Sequence, residues 1–445
     1  MAPLNTFWKL FSAIFPFSDF VYILQLEEYS SQRFLKWLPH FFFRRNFQVR
    51  QKVEWTARAK IVCMTAVALW LFYVGGVWMF FSAPRIGTIF SLLFIPFFVL
   101  AANAILVTPF TLVHARLRRR AASRLAAFKE HGKVIIVAGS YGKTTTKHFL
   151  EQLLRYNFRV QMTPGTVNTP AGIAAWLLND MRPGTNLLII EADGYSKREY
   201  RETGAMISAD IVVVTNIGDQ HLERFGSRDA LAHAMGEIVS LASENAHILC
   251  AEETRDLLPQ DILKNRRIRL VTQGAETTLS KSNSANLALA RETARILNVS
   301  ESIIKDTVAK LELPDRRQKP RQMYGYEAID DSYNISWTTA QAGVAAARNA
   351  ARAAGKKLLV VTAGIVELGP DDQDKNIRLG ELLAREADHT IVLPSMFAPD
   401  ILKGIGTAPH TCSMGCADDL VYAHAHFDPA EWFLLVQPGL SDLYY

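Results

Sequence analysis

Residues 133–146 read KVIIVAGSYGKTTT, and this stretch decides the fold of the chain. Val134 to Ala138 form a short apolar run that is typical of a buried strand. A tight glycine turn follows, and then a helix start that is rich in hydroxyl groups. The residues of the turn and the helix start are Gly139, Ser140, Tyr141, Gly142, Lys143, Thr144 and Thr145.

A strand, a glycine loop and a helix that begins with Lys-Thr are suited to hold phosphate. Backbone N–H groups of the loop and the helix start face the anion, Lys143 neutralises the outer phosphates, and a threonine hydroxyl binds Mg²⁺. The usual phosphate loop needs glycine where this chain has Val137, so the loop is a short G-x-x-G-K-T-T variant. An ordinary turn with an exposed lysine is the alternative, and the flanking strand and helix argue against it.

Two long apolar segments precede this loop. Residues 61–83 carry no charged side chain over 23 positions, and residues 89–113 carry none over 25. Each segment is long enough to cross a bilayer as a helix, and the short connection between them predicts a helical hairpin over residues 60–113.

Basic residues flank the hairpin on both sides. Residues 26–60 contain eight Lys and Arg, and residues 114–130 contain six, whereas the connection between the spans has only Arg85. The positive-inside rule therefore predicts that both flanks, and the domains that follow a basic linker at 114–131, lie on the cytoplasmic side of the inner membrane. The net charge of +6 comes from these clusters, which favour membrane lipid as a partner and give no indication of nucleic-acid binding.

The first 59 residues are predicted to lie at the membrane interface. Residues 7–26 are aromatic and apolar, but they include Lys9, Pro16 and Asp19. An interfacial position places the aromatic rings at headgroup depth. A third span is the alternative, and it would place the N-terminus outside.

From Gly132 onward, apolar runs alternate with amphipathic stretches, which predicts an α/β fold with a mostly parallel sheet. A break near Leu313 separates a nucleotide-binding domain (132–312) from a smaller Rossmann-like domain (313–445). The strands of the first domain are predicted at 133–138, 186–191, 211–216 and 247–251, and its helices at 143–156, 170–182 and 228–243. The second domain is predicted to have strands at 325–330, 357–363, 389–393 and 432–437 and helices at 337–353 and 373–386.

Two further polar residues follow predicted strands of the first domain. Glu191 ends the run 187–190, and His221 follows the run 211–215. The carboxyl ends of parallel strands share one edge of a sheet, so both side chains are expected near the phosphate loop, where a glutamate can hold Mg²⁺. Each residue alone is more often structural. Together with the loop they predict an ATP-using enzyme that is held at a membrane.

Several longer motifs resemble the Mur ligase family in order and approximate spacing, over about residues 132–445. The resemblance is strongest to the members that join a D-alanyl-D-alanine dipeptide to a muropeptide. The motifs are GSYGKTTT (139–146), TPGTVNTPAGI (163–173), IIEADGYSKREY (189–200), TNIGDQHLERFGS (215–227), NSAN (283–286), LPDR (313–316), IDDSYN (329–334) and AGIVELG (363–369).

The resemblance implies an ATP-dependent ligase of peptidoglycan precursor synthesis. A carboxylate attacks the γ-phosphate to give an acyl phosphate, and the amine of an amino acid or dipeptide then displaces phosphate. Lys143 would contact the β- and γ-phosphates, Thr144 and Glu191 would hold the first Mg²⁺, and His221 would hold or support a second metal. For the nucleotide, the resemblance implies Asn283 and Asn286 near adenine, Arg316 at the γ-phosphate and Asp331 at the ribose or the domain hinge. Towards the muropeptide-like acceptor it implies Asn168, Thr169, Ser332, Tyr333 and Asn334.

Three features depart from the family pattern. The family has a carbamylated lysine where this chain has Met235, and neither His233 nor Glu237 is expected to replace it. The Lys-Gly-Ser loop is QPGLSD at 437–442, and a family histidine corresponds to Asn376. The membrane hairpin occupies the place of the UDP-binding domain, which suggests a lipid-linked acceptor instead of a UDP-linked one. A nucleotide-binding pseudoenzyme or scaffold and a polyglutamate-type ligase remain as alternatives.

Overall fold

The structure is a computed structural model of the chain. It describes residues 15–43, 53–165, 167–218, 221–264, 266–272, 281–333, 335–406, 411–414 and 426–437. The chain divides into two compact units, and the boundary lies between Arg116 and Leu117.

The N-terminal unit consists of helices. They are α1 (Phe17–Leu26), α2 (Ser31–Phe43), α3 (Ala57–Phe80), α4 (Pro84–Ser91) and the first part of α5 (Ile95–Lys129). A single 3₁₀ turn at Leu92–Phe94 joins α4 to α5. By length and composition, α3 and the segment Pro84–Lys129 are each able to cross a membrane.

The structure differs from the predicted hairpin in where its second helix begins and ends. The expected connection at 84–88 is already helical. Pro84 occupies the first turn of α4, where a backbone N–H would have no partner within the helix, so the missing N–H of proline costs nothing. At the other end, α5 continues without a break through the predicted linker to Lys129. Within the second unit, Ala121, Leu125 and Phe128 are buried against the first sheet.

The aromatic N-terminal segment is buried within its own unit. The described part, α1, packs against α3, and Val21, Ile23 and Leu24 are fully buried. At ten residues, α1 is too short to cross a bilayer. The buried Asn103 of α5 fastens the turn between α1 and α2, because its Nδ2 donates to the Tyr29 carbonyl at 2.8 Å and to Ser31 Oγ at 3.0 Å.

The second unit contains two sheets. The first is entirely parallel, in the order β2-β3-β1-β4-β5-β6. Its strands are β1 (Lys133–Ala138), β2 (Val160–Met162), β3 (Leu187–Glu191), β4 (Ile211–Val214), β5 (His247–Ala251) and β6 (Arg267–Val271). The helices of this domain are α6 (Lys143–Leu154), α7 (Pro170–Asn179), α8 (Lys197–Ile207), α9 (Leu222–Phe225), α10 (Arg228–Ser240), α11 (Glu252–Arg255), α12 (Gln260–Leu263), α13 (Lys281–Ile296) and α14 (Glu301–Val308).

Helices cover both faces of the first sheet, which is why its strands read as continuous apolar runs. In β1, Val134 and Ile136 pack under α8 and α10, whereas Ile135 and Val137 pack under α6 and α13. Successive side chains of a strand point to opposite faces, so an unbroken apolar run serves both cores.

The second sheet has the order β11-β10-β9-β12-β8-β7, and only the β7–β8 pair is antiparallel. Its strands are β7 (Lys319–Met323), β8 (Tyr326–Asp330), β9 (Lys357–Thr362), β10 (His389–Val392), β11 (Thr411–Met414) and β12 (Trp432–Val436), and its helices are α15 (Trp337–Ala353), α16 (Asp372–Glu386) and α17 (Ala398–Ile405). The α/β class and the mostly parallel sheets agree with the prediction. The strands β2, β6, β7 and β11 were not predicted.

Candidate nucleotide and metal site

The glycine loop lies at the carboxyl edge of the first sheet, where β1 is flanked by β3 and β4. Ligands of open α/β sheets bind at this edge. Hydrogen bonds to the chain after β4 shape the loop. The Ser140 N–H donates to the Asn216 carbonyl at 2.7 Å, and the Gly218 N–H donates to Ser140 Oγ at 3.0 Å.

Both glycines of the loop are required by its backbone. Gly139 has φ +138° and Gly142 has φ +84°, a region that other residues rarely adopt. A Cβ on Gly139 would lie 2.1 Å from Thr215 Oγ1, and one on Gly142 would lie 2.3 Å from Asn286 Oδ1. The loop therefore packs tightly against β4 and α13, and it keeps its N–H groups at the start of α6.

Lys143 is buried at the start of α6. Its Nζ donates to the carbonyls of Gly139 at 2.7 Å and Ser140 at 3.1 Å, and it pairs with Asp193 Oδ2 at 3.0 Å. Burial raises the pKa of the Asp193 carboxyl, but the charge of Lys143 and the contact with His221 outweigh it and hold that pKa well below its usual range. Asp193 is therefore an anion inside the site.

Thr144 and Glu191 meet as the sequence predicted. Thr144 Oγ1 donates to Glu191 Oε1 at 3.0 Å, while Lys147 Nζ pairs with Glu191 Oε2 at 2.8 Å. In the described part of the chain, no three His, Cys, Asp or Glu side chains are arranged to hold a metal ion by themselves. Magnesium is commonly held by one or two carboxylates together with waters and substrate phosphates, so Thr144 and Glu191 fit such an ion.

His221 is buried between two carboxylates. Its Nδ1 pairs with Glu367 of the C-terminal domain, and its Nε2 lies 3.8 Å from Asp193 Oδ2. Burial lowers the pKa of the imidazole, but the two carboxylates outweigh it and raise the pKa to about 8. The edge of the Tyr195 ring packs on His221 with the centroids 4.6 Å apart. Both His221 (φ +61°) and Glu367 (φ +65°) adopt the left-handed backbone conformation.

A cavity of about 490 Å³ opens beside the loop. Its walls include Asn283 and Asn286 of α13, and Gln318 and Asp331 of the C-terminal domain. Burial raises the pKa of Asp331 to about 8, and the buried Oδ2 of Asp331 has no hydrogen-bond partner among the residues that the structure describes. The asparagine amides and this oxygen are suited to bind the base and the sugar hydroxyls of a nucleotide.

Arg317, and not the predicted Arg316, reaches the site. Arg316 is exposed and adopts a left-handed backbone conformation with φ +59°. Arg317 Nη2 donates to Thr144 Oγ1 at 3.3 Å, and its guanidinium lies 3.9 Å from the centroid of the Tyr333 ring. Burial lowers the pKa of Arg317 more than the nearby Tyr333 and Glu191 raise it. The assignment of Arg316 is corrected accordingly.

Residues 137–314 match the family described as the Mur ligase middle domain. This part of the chain is a Mur ligase middle domain. The chain is 26% identical over 278 residues to the UDP-N-acetylmuramoyl-tripeptide--D-alanyl-D-alanine ligase of Bacillus subtilis, covering 57% of this chain and 60% of that protein. It is also 26% identical over 282 residues to the Escherichia coli enzyme of the same name, covering 56% and 61%.

A solved structure shares the fold of the Mur ligase middle domain and the domain after it. The chain superposes on the MurF ligase from Thermotoga maritima in complex with ADP with a TM-score of 0.64 at 23% identity, covering 73% of this chain and 80% of that chain. The chain spans about three fifths of the length of the two curated relatives, 60% and 61%. The resemblance seen in the motifs is thus confirmed.

The residues expected near the acceptor are only partly gathered at the Mur ligase site. The Asn168 carbonyl accepts from the Asp193 N–H at 3.0 Å, which places this loop beside the site. Thr169 Oγ1 caps α7 by accepting from the Gly172 N–H at 3.3 Å. Ser332 Oγ donates to Asp330 Oδ1 at 2.6 Å. The Tyr333 ring packs against the guanidinium of Arg317. Asn334 lies outside the described residues.

The departures from the family pattern have structural roles. Met235 is 1% exposed in the apolar core of the Mur ligase middle domain. The exposed His233 is bonded to its own helix, and Glu237 pairs with Lys197 at 3.2 Å, so neither replaces a lysine at 235. The buried Asn376 donates to the carbonyls of Ile365 and Asp372 and accepts from the Ile365 N–H. Gln437 is buried at the end of β12, and residues 438–442 lie outside the described residues.

Besides Arg317, sequence reasoning missed three further charged residues of the site. Asp193 lies two positions after Glu191, so the two-residue period of a strand could have found it. Lys147 lies one helical turn after Lys143, which would have placed it on the same face of α6. Glu367 comes from the other domain, and no local signal relates it to His221.

Proposed function

We propose that the chain is an ATP-dependent amide ligase of peptidoglycan precursor synthesis. The observation that carries this proposal is one contiguous site. The phosphate loop, the Thr144–Glu191 pair and the buried Lys143 lie beside a cavity that the C-terminal domain helps to line. The names of the two curated relatives supply the substrate class, a UDP-linked muramoyl tripeptide and D-alanyl-D-alanine.

The nucleotide occupies the cavity with its phosphates on the loop. Asn283 and Asn286 contact the base, and Asp331 accepts from the ribose hydroxyls. Loop N–H groups and Lys143 hold the β- and γ-phosphates. Thr144 and Glu191 would hold a magnesium ion, which would neutralise the charge that develops on the phosphates.

The acceptor carboxylate attacks the γ-phosphorus, and the bond to the β–γ bridging oxygen breaks, giving an acyl phosphate and ADP. The amine then attacks the acyl carbon, phosphate departs, and the amine loses a proton to give the amide. Arg317 faces the loop and stabilises the charge of the transferred group. Positioning and charge neutralisation carry most of the phosphoryl step.

The acceptor is a muropeptide-like carboxylate that is linked to UDP or to lipid, and the amine is an amino acid or a dipeptide. The loop at Asn168 and Thr169 adjoins Asp193 and so lies on the middle-domain side of the reacting atoms. Ser332, Tyr333 and Asn334 follow β8 on the side of the C-terminal domain.

The N-terminal unit anchors the enzyme in the cytoplasmic membrane. Only 17% of the apolar window of α3 is buried within the structure, unlike the core helix of a soluble protein. Large apolar side chains point outward, including Phe72 (84% exposed) and Phe80 (80%). An apolar surface of this extent needs a partner, and two helices of spanning length with basic flanks favour lipid.

The domain organisation that the sequence predicts remains part of the proposal. It consists of an interfacial segment (1–59), the hairpin (60–113), a basic segment (114–131), the ATP-binding domain (132–312) and the C-terminal ligase domain (313–445), with both ligase domains in the cytoplasm.

The test uses the detergent-solubilised full chain with ATP, Mg²⁺ and a panel of acceptors and amines. The acceptors are UDP-linked and lipid-linked muropeptides and one non-muropeptide carboxylate that ends in glutamate, and the amines are single amino acids, including glutamate, and D-alanyl-D-alanine. ADP release and product mass are measured together. Amine-dependent ADP release supports the ligase if the mass of the acceptor increases by the mass of the amine less one water. The acceptor that gives product distinguishes UDP linkage from lipid linkage.

Lys143→Ala is expected to lose ADP release while remaining in the membrane fraction. Nucleotide binding without amine-dependent ADP release from any acceptor would instead support a scaffold. Product formation only with glutamate on a non-muropeptide acceptor would support a polyglutamate-type ligase.

A further inference from the structure

The two carboxylate oxygens of Asp193 face different surroundings. Its Oδ1 accepts from the Tyr200 hydroxyl at 3.2 Å and from the Gly194 N–H at 3.0 Å. Its Oδ2 instead faces two functional side chains, Lys143 Nζ at 3.0 Å and His221 Nε2 at 3.8 Å. The fold therefore fixes one oxygen and directs the other into the phosphate site.

His221 presents a ring nitrogen to this oxygen. Glu367 pairs with Nδ1, which fixes the ring orientation and leaves Nε2 facing Asp193. The side chain is 3% exposed, and within the described part of the chain Nε2 has no hydrogen-bond partner of normal geometry. A carboxylate behind one nitrogen of a histidine is the usual support of a histidine that binds metal through the other nitrogen.

The distance between the two donors suits a shared cation. At 3.8 Å the contact is too long for a hydrogen bond. It is shorter than about 4.2 Å, the sum of two bonds of about 2.1 Å to a small divalent ion. One ion can therefore touch both Asp193 Oδ2 and His221 Nε2.

We propose that Asp193 and His221 hold a second divalent cation beside the one at Thr144 and Glu191, and that Glu367 orients His221 for it. This inference rests on the proposed function, because phosphate oxygens and water complete the coordination of the ion. Asp193 supplies the anionic oxygen that the family resemblance assigns to a carbamylated lysine. Met235, which occupies the place of that lysine, is buried among apolar side chains.

Binding of this cation depends on the nucleotide. Lys143 now pairs with Asp193, and phosphates that draw Lys143 away release Oδ2 for the ion. The arrangement needs no carbamate, so the second cation is expected to bind equally well with and without bicarbonate.

The test counts bound Mn²⁺ on the full chain in detergent, by electron paramagnetic resonance with saturating ADP. Mn²⁺ is the probe because a nitrogen donor binds it more readily than Mg²⁺. The wild-type chain is expected to bind two Mn²⁺ with ADP, and Asp193→Asn is expected to bind one. Glu367→Gln is expected to weaken the second site by about 10–100-fold, as the loss of an orienting carboxylate does. The exposed Asp229→Asn is the matched control and keeps both ions.

Three results would overturn the inference. They are a single Mn²⁺ on the wild-type chain, two Mn²⁺ of unchanged affinity on folded Asp193→Asn, and loss of the second Mn²⁺ in CO₂-free buffer with recovery on adding bicarbonate. Amide exchange verifies the fold of each variant, and Glu367→Gln, whose change lies in the other domain, decides the question if Asp193→Asn does not fold. Binding of a fluorescent ADP analogue in EDTA and amine-dependent ADP release test the proposed function separately.

Discussion

Lys147→Met is expected to destabilise the sheet beneath the phosphate loop. Lys147 is fully buried on α6, one turn after Lys143. Its Nζ pairs with Glu191 Oε2 at 2.8 Å and donates to the carbonyls of Thr163 at 2.9 Å and Gly165 at 3.1 Å. Methionine has a similar length but no charge and no donor. The variant therefore leaves the buried carboxylate of Glu191 without the positive charge that now faces its Oε2.

The magnitude follows from the burial of both partners. Breaking a buried ion pair by removing one member costs about 3–5 kcal/mol, because the remaining charge stays desolvated. At about 1.4 kcal/mol for each factor of ten, the opening equilibrium of β3 is expected to rise by about 2–4 orders of magnitude. The pair Lys319–Asp315 is largely exposed and screened by solvent, so Lys319→Met should leave the stability nearly unchanged and serves as the control.

The assay is native-state amide exchange of the full chain, followed on peptides that contain β3. Protection at β3 is expected to fall in Lys147→Met and to stay unchanged in Lys319→Met. Combining Lys147→Met with Glu191→Leu removes both charges and is expected to recover part of the lost protection, because an apolar pair carries no desolvated ion. Equal protection in Lys147→Met and the control, or no recovery in the double variant, would refute the reasoning.

Three further predictions concern the loop and its neighbours. Gly139→Ala is expected to abolish binding of a fluorescent ADP analogue, since its Cβ would lie 2.1 Å from a threonine hydroxyl, whereas Gly75→Ala meets nothing and binds normally. Arg317→Ala is expected to lower the ligase kcat by about 10³-fold, while Arg316→Ala leaves it unchanged; equal losses would reject the reassignment. Asn376→Ala removes three hydrogen bonds of a buried side chain, from the Ile365 N–H and to the carbonyls of Ile365 and Asp372, and is expected to cost about 2–5 kcal/mol, read as faster amide exchange of β9.

The elements with strong local patterns were predicted well from the sequence. The strand 133–138 and the helix 337–353 have the predicted bounds, because a buried parallel strand needs an apolar run and a helix of this length needs a cap, here Ser336. The strands that were missed lie at sheet edges. Arg267–Val271 carries two arginines in five residues, a composition that is adequate for an edge strand but gives no apolar run.

The residues of the site that are close in sequence could be predicted, whereas those that only the tertiary structure brings together could not. Glycines, lysine and threonines of the loop act within a few residues of one another, so the sequence was enough to place them. The choice of Arg317 over the adjacent Arg316 required the three-dimensional structure, in which Arg317 contacts Thr144 and Arg316 is exposed. The contact between Glu367 and His221 forms only when one domain docks on the other, and no spacing along the chain predicts that docking.

The pairing of His221 with Glu367 gives a reason for two unusual backbone angles. Each residue is a non-glycine in the left-handed region, which costs of order 1–3 kcal/mol unless the surroundings hold it there. The Glu223 N–H donates to the Glu367 carbonyl at 3.2 Å, so backbone and side-chain contacts between the domains support both residues at once. The two domains thus need each other to form this part of the site. A change that separates them is expected to release His221 from its orientation before it disturbs the phosphate loop.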